Sequence, residues 1–279
     1  MIITHDFVML NFPKTGSSFV RSILKQIHGY DTPQARLLRG LRLNRDPAMV
    51  EVLVPVIDKA SSRGLRSQHG TYRQIPQEHR NKTIVSVTRN PFDRYVSDYL
   101  FGWWQRHPPA PPEQLAAQFP NFPDLSFAEY HQMNDLFGRR DRLGEISPKI
   151  DLGLFTIQFI QFYFRNPAHV LSTIDDEYID QGRYGSDMPP VVFLHQENLR
   201  EELYQFLLKA GYPEEKIGFI LEAGRVNVTP RASGPNKTDG FFTPDLVRHV
   251  LDKDRLLFEL FPEYKGTGPG SKSLEGESN

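Results

Sequence analysis

Residues 7–18 restrict the fold more than any other part of the chain. The apolar run Phe7-Val8-Met9-Leu10 leads into Phe12-Pro13-Lys14-Thr15-Gly16-Ser17-Ser18, and a helical repeat starts directly afterwards. Phe19, Val20, Ile23, Leu24 and Ile27 share one face of that repeat, with Arg21, Ser22, Lys25 and Gln26 on the other. The pattern is a buried strand, a tight loop and an amphipathic helix. Such a turn presents backbone N–H groups at a helix N-terminus, where partial positive charge collects. Lys14 adds a full charge beside them. The loop thus suits an anion, a phosphate or sulfate ester. Taken alone, it fits a tight turn with a solvated lysine equally well.

The same pattern recurs. Thr83-Ile84-Val85-Ser86-Val87-Thr88 is a β-branched strand ending at Arg89-Asn90-Pro91. Asn90 suits a helix N-cap and Pro91 the first helical position. Phe92, Tyr95, Val96, Tyr99 and Leu100 then follow at helical spacing. Val191-Val192-Phe193-Leu194 is a third short strand, followed by a helix with Leu199, Leu203, Phe206, Leu207 and Ala210 on one stripe that stops at Gly211 and Pro213. Ser126 starts a helix through Phe127 and Tyr130, and Thr243-Pro244-Asp245-Leu246 starts another. The six prolines between His107 and Pro123 predict an extended loop. Residues 31–66 read as a loop or weak helix with an apolar patch at Met49 to Ile57. Strands alternating with helices imply an α/β fold whose central parallel sheet is flanked by helices. Ligands bind beyond the C-terminal ends of such strands, where both the first loop and the Arg89 turn lie. One domain over residues 1–264 is expected, with a disordered Gly/Ser-rich tail over 265–279.

Composition removes several function classes. The 33 basic and 34 acidic residues leave a formal net charge of −1, which gives no bulk attraction to nucleic acid or anionic membrane. The chain has no cysteine, so disulfides, thiolate zinc sites and cysteine nucleophiles are excluded. This fits a reducing compartment, and a cytoplasmic location is expected. The N-terminus lacks a basic flank followed by a long apolar core, so neither signal peptide nor membrane anchor is expected. The most apolar stretch, Leu152 to Phe164, is too short to span a membrane.

The first loop departs from the nucleoside-triphosphate pattern, which needs a Gly, four residues and then Gly-Lys-Ser/Thr. Here Lys14 precedes Gly16 and the leading Gly is missing. In the second unit Arg89 sits at a strand end, and Ser97, seven residues past Asn90, returns to the same helix face after two turns. Arginine and a hydroxyl together suit a phosphate monoester, although each alone fits an ordinary surface position.

The two units together resemble the sulfotransferases that use 3′-phosphoadenosine 5′-phosphosulfate (PAPS). The PKTGSS run at 13–18 is similar to that family's 5′-phosphosulfate loop, and VTRNPFDRYVSDY at 87–99 to its 3′-phosphate motif. SFAEY at 126–130, HQENL at 195–199 and FFTPDL at 241–246 follow in family order as weaker matches. The likeness is to the carbohydrate-type, Golgi-like branch, here in a soluble form of bacterial type. It implies the P-loop-like three-layer sulfotransferase fold and sulfuryl transfer to an acceptor hydroxyl on a carbohydrate, lipid or small natural product.

The resemblance also assigns residues. Lys14 would hold the phosphosulfate and stabilise the bridging oxygen. Thr15, Gly16, Ser17 and Ser18 would hold the 5′-phosphate, and Arg89 with Ser97 the 3′-phosphate. The segment Arg66-Ser67-Gln68-His69-Gly70-Thr71-Tyr72 resembles the His-bearing segment of glycosaminoglycan 2-O-sulfotransferases, which makes His69 the candidate base with Glu145 in reserve. Arg231 and Lys237, in the basic loop 225–237, are candidate nucleotide contacts. His195 reads as structural. Trp103, Trp104, Phe155, Phe159, Phe162 and Tyr163 read chiefly as core. No metal is expected, because the sulfuryl group carries less charge than a phosphoryl group. The alternatives are a nucleotide kinase with a degenerate loop and a non-catalytic nucleotide-binding module. The acceptor and the oligomeric state are not legible in the sequence.

Overall fold

The computed structural model describes residues 1–41, 47–56, 65–138, 144–224, 238 and 240–269. In chain order the strands are β1 (Ile2–Thr4), β2 (Phe7–Leu10), β3 (Met49–Glu51), β4 (Val54–Pro55), β5 (Arg66–Ser67), β6 (Thr83–Thr88) and β7 (Val192–His195). The helices are α1 (Ser17–Ile27), α2 (Pro33–Gly40), α3 (Pro91–Phe101), α4 (Trp103–Arg106), α5 (Pro112–Gln118), α6 (Phe127–Phe137), α7 (Leu154–Tyr163), α8 (Pro167–Thr173), α9 (Asp176–Asp180), α10 (Tyr184–Asp187), α11 (Leu199–Lys209), α12 (Glu214–Ile217), α13 (Pro244–Lys253) and α14 (Arg255–Leu260). Contacts gather these elements into two compact units. One takes residues 1–57, 61–89 and 189–228, and the other takes 58–60, 90–188 and 229–279.

The first unit holds a five-stranded sheet in the order β3-β1-β2-β6-β7. β2, β6 and β7 run parallel, with Leu10 opposite Ser86 and Thr88 opposite His195. Parallel strands covered on both sides read as continuous apolar runs. Accordingly all of β2 is buried, as are Ile84, Val85 and Val87 of β6. Phe19, Val20, Ile23 and Leu24 of α1 join Phe7, Met9, Val87, Leu194, Leu203 and Leu207 in one core. Each such side chain contributes about 1.5–3 kcal/mol on burial.

The sheet corrects the sequence expectation in one respect: it is mixed. β1 pairs antiparallel with both β2 and β3. Ile2-Ile3-Thr4 is too short for its alternation to register as a strand. β3 comes from the segment expected to be loop or weak helix, where the helix α2 does form, capped by Thr32 and opened by Pro33. The proline-rich stretch is likewise not wholly extended. Pro112 occupies the first turn of α5, where its missing N–H has no helical partner to lose, and Glu113-Gln114-Leu115-Ala116-Ala117-Gln118 are good helix formers.

In the second unit α3 is pinned by buried polar contacts. Asn90 caps it by accepting from Phe92 N at 3.0 Å, and its amide donates to Thr267 Oγ1 at 2.8 Å. The Arg94 guanidinium lies 3.9 Å from the centre of the Phe155 ring and donates to Gln158 Oε1 at 2.8 Å. Tyr95 donates to the fully buried Asp254, which also accepts from the Thr156 amide and hydroxyl. Burial raises the Asp254 pKa and lowers that of Arg94 to about 10. The aromatic group expected in the core is there, except that Trp103 is half-exposed. Pro262–Thr267 forms a 3-10 helix, and residues 270–279 of the expected tail lie outside the described residues.

Candidate active site

The first loop runs from the end of β2 to the start of α1. Gly16 is the N-cap of α1, with φ 93° and no side-chain cap. The first amides of a helix have no acceptor one full turn back; here Phe19 N–H turns to Gly16 O at 2.9 Å, and the N-cap glycine has no side chain to serve the others. Lys14 also has a positive φ, 65°. That conformation is uncommon for a residue with a Cβ, and such outliers gather at functional sites. Left-handed residues at 14 and 16, either side of Thr15, are the kind of backbone that turns successive N–H groups toward an anion.

The hydroxyls of this loop divide into two kinds. Thr15 Oγ1 donates to Phe12 O at 2.9 Å and Ser17 Oγ donates to the same carbonyl at 2.8 Å. Both residues are buried. A hydroxyl has one proton to donate, so these two brace the loop instead of offering protons to a ligand. Ser18 and Lys14 are half-buried.

Arg89 follows the last residue of β6, and β6 is the parallel neighbour of β2. Its Nη1 donates to the Lys14 carbonyl at 3.3 Å. Two turns 75 residues apart in sequence therefore meet at adjacent strand ends, and a guanidinium stands against the loop that carries the lysine. The segment after β7 packs on the loop from another side. A Cβ placed on Gly16 would lie 3.1 Å from Gln196 Cγ and 3.3 Å from Leu199 Cδ2. His195 pairs with Glu202 through its ring and its backbone N–H, in keeping with a structural role.

His69 reaches the same loop. Its Nδ1 lies 2.7 Å from the Asn11 carbonyl. A carbonyl only accepts, so Nδ1 carries the proton, and in the neutral ring Nε2 has the lone pair. His69 is the middle residue of a γ-turn closed by Gly70 N–H to Gln68 O at 3.0 Å, and its own amide donates to Ser67 Oγ at 3.1 Å. A Cβ on Gly70 would lie 2.3 Å from Met1 Cε, so the end of the Met1 side chain packs directly against this glycine. Burial lowers the His69 pKa, the bond to Asn11 opposes that, and the positive charge of Arg21 adds to it.

Lys14, His69 and Arg89 thus converge on residues 11–16 within one unit. Ser97 is half-buried on α3 in the other unit. Glu145 is exposed. Arg231 and Lys237, with the rest of the 225–237 loop, lie outside the described residues. Asn11 drew no notice in the sequence. Its signal was a polar residue set between the apolar Leu10 and Phe12, at the end of a fully buried strand. Among the described residues no cluster of His, Asp or Glu is placed to hold a metal ion, and no helix is long and apolar enough to cross a membrane.

The sequence model of the Sulfotransferase family matches residues 1–139, a span that contains the loop at 13–18, His69, Arg89 and Ser97. Over these residues the chain belongs to the sulfotransferase family. A structural comparison pairs this sulfotransferase with the crystal structure of mouse sulfotransferase SULT7A1 complexed with PAP, at 15% identity and a TM-score of 0.35, over 97% of this chain and 87% of that one. No curated protein sequence matches the chain.

Proposed function

We propose that this sulfotransferase moves a sulfuryl group from PAPS to an acceptor hydroxyl, with loop 13–18 and Arg89 as its donor site and His69 as its base. The observation that carries the reading is the bond from Arg89 to the Lys14 carbonyl, which sets an arginine beside an uncapped helix N-terminus. A nucleotide with a 5′-phosphosulfate and a 3′-phosphate needs two cationic anion sites close together. The loop amides and Lys14 take the 5′ end. Arg89 takes the 3′-phosphate.

In the reaction the acceptor oxygen attacks sulfur, and its proton passes to His69 Nε2. The bond from sulfur to the bridging oxygen breaks, and both electrons leave with the phosphate of adenosine 3′,5′-bisphosphate. Lys14 and the α1 amides stabilise the charge that develops on that phosphate. Little covalent work falls to the protein, so positioning and electrostatics supply the acceleration.

The test is labelled sulfuryl transfer from PAPS to a panel of carbohydrate, lipid and phenolic hydroxyls, run beside thermal shifts with adenosine 3′,5′-bisphosphate and with magnesium ATP. The reading expects stabilisation by the bisphosphate alone and transfer to a hydroxyl. Stabilisation by magnesium ATP alone would point to a kinase. Bisphosphate binding with no transfer across the panel would point to a non-catalytic module.

A further inference from the structure

We infer that Asn11 is the positioning residue that registers His69 against the donor loop. The inference rests on the proposed base role of His69. Asn11 is 1% exposed and is the single residue between the end of β2 and the Phe12 carbonyl that braces the loop. It holds the His69 segment at two points. Its carbonyl receives the His69 Nδ1 proton at 2.7 Å, and its side-chain Nδ2 donates to Gln68 O at 3.3 Å. Gln68 O is also the acceptor that closes the γ-turn around His69, and the Met1 backbone nitrogen donates to it as well. Asn11 therefore grips both the ring of His69 and the peptide that carries it.

The rest of the Asn11 side chain argues against a purely packing role. Its Oδ1 is buried with no hydrogen-bond donor among the described residues. A buried acceptor left so is unfavourable, and an apolar residue of similar size would avoid this. Keeping the amide makes physical sense if its N–H end is needed at Gln68. The consequence is chemical. With Nδ1 tied to the backbone of the strand that leads into the phosphate loop, the Nε2 lone pair is fixed relative to Lys14. A base held this way does not have to be ordered when the acceptor arrives.

The tautomer of His69 is readable by long-range proton–nitrogen NMR on the full chain, with His69→Ala assigning the signal. The expected result is the Nδ1-protonated form in the unmodified protein, opposite to the preference of free imidazole side chains. Asn11→Ala keeps the backbone carbonyl but releases Gln68, and should raise the Nε2-protonated population severalfold. Its affinity for adenosine 3′,5′-bisphosphate should stay within about threefold. An Nε2-protonated ring in the unmodified protein overturns the inference, and so does an Asn11→Ala spectrum unchanged at His69. Should Asn11→Ala fail to fold, the tautomer of the unmodified protein decides alone. Failure of the bisphosphate to bind the unmodified protein would instead count against the donor-site reading, leaving the tautomer result intact.

Discussion

Replacing Gly16 with alanine perturbs the proposed donor site by a single methyl group, and the structure sets the size of the effect. At φ 93° a residue with a Cβ is unfavourable by about 1–2 kcal/mol. The added carbon meets Gln196 Cγ at 3.1 Å and Leu199 Cδ2 at 3.3 Å. The first is a flexible side chain and yields easily; the second is held in the core. Together these give a destabilisation of about 2 kcal/mol, or a fall of roughly 4–8 °C in Tm for a chain of this size. The relief of strain has to come from the loop, which turns the α1 amides away from the anion. Losing one charge-assisted amide contact of ~1.5–3 kcal/mol weakens adenosine 3′,5′-bisphosphate about 10–100-fold. Calorimetry of unfolding and of ligand binding measures both. Gly185→Ala serves as control, because a Cβ there meets nothing within 4 Å. If Gly16→Ala melts and binds like the unmodified protein, the loop is not held in the geometry described, and the anion-site argument fails with it.

Three further outcomes follow from the same geometry. Lys14→Gly removes the charge and also relieves the φ of 65°, so turnover should fall about a hundredfold, equivalent to ~3 kcal/mol, without any drop in Tm; a lower Tm would mean that Lys14 is there for stability. Because burial lowers the His69 pKa and only the neutral ring accepts a proton, kcat should rise with pH through a midpoint below about 6.5, and His69→Ala should abolish that limb with bisphosphate affinity nearly unchanged. His131 is buried in the second unit and its pKa is lowered to about 3, first by burial and then by His249. Its folded pKa lies below the unfolded one, so the unfolded state binds more protons as pH falls. Stability should therefore be intact above about pH 6.5 and decline below it by up to ~1.4 kcal/mol per pH unit, and urea unfolding of His131→Phe should lack that share of the slope.

The legible part of this fold was the part whose residues carry their own local signal. β2, α1, β6, α3 and α11 are long or strongly periodic, and Asn90-Pro91 states its helix start outright. β1 and β3 have three residues each and exist only because the sheet supplies partners, so nothing local marks them. α5 hid behind prolines that in fact sit where a helix accepts them. At the site, sequence named Lys14, His69 and Arg89, the residues whose chemistry is distinctive by type. It did not show that the Thr15 and Ser17 hydroxyls share Phe12 O as acceptor, because a hydroxyl's partner depends on the turn. Within the 3′-phosphate motif, Asn90, Arg94 and Tyr95 are engaged in capping and in the buried network around Asp254. A motif read as one unit thus includes residues that hold the helix. Asn11 acts through backbone and amide contacts to residues nearly sixty positions away, and no spacing rule reaches that far.

The central claim is that the Lys14 loop and Arg89 grip opposite ends of one doubly phosphorylated adenosine. A crystal structure with adenosine 3′,5′-bisphosphate measures this directly. The account predicts the 5′-phosphate on the amides at the start of α1, beside the Lys14 ammonium, and the 3′-phosphate on the Arg89 guanidinium. A nucleotide bound with its 3′-phosphate away from Arg89, or with no phosphate on the α1 amides, would contradict it.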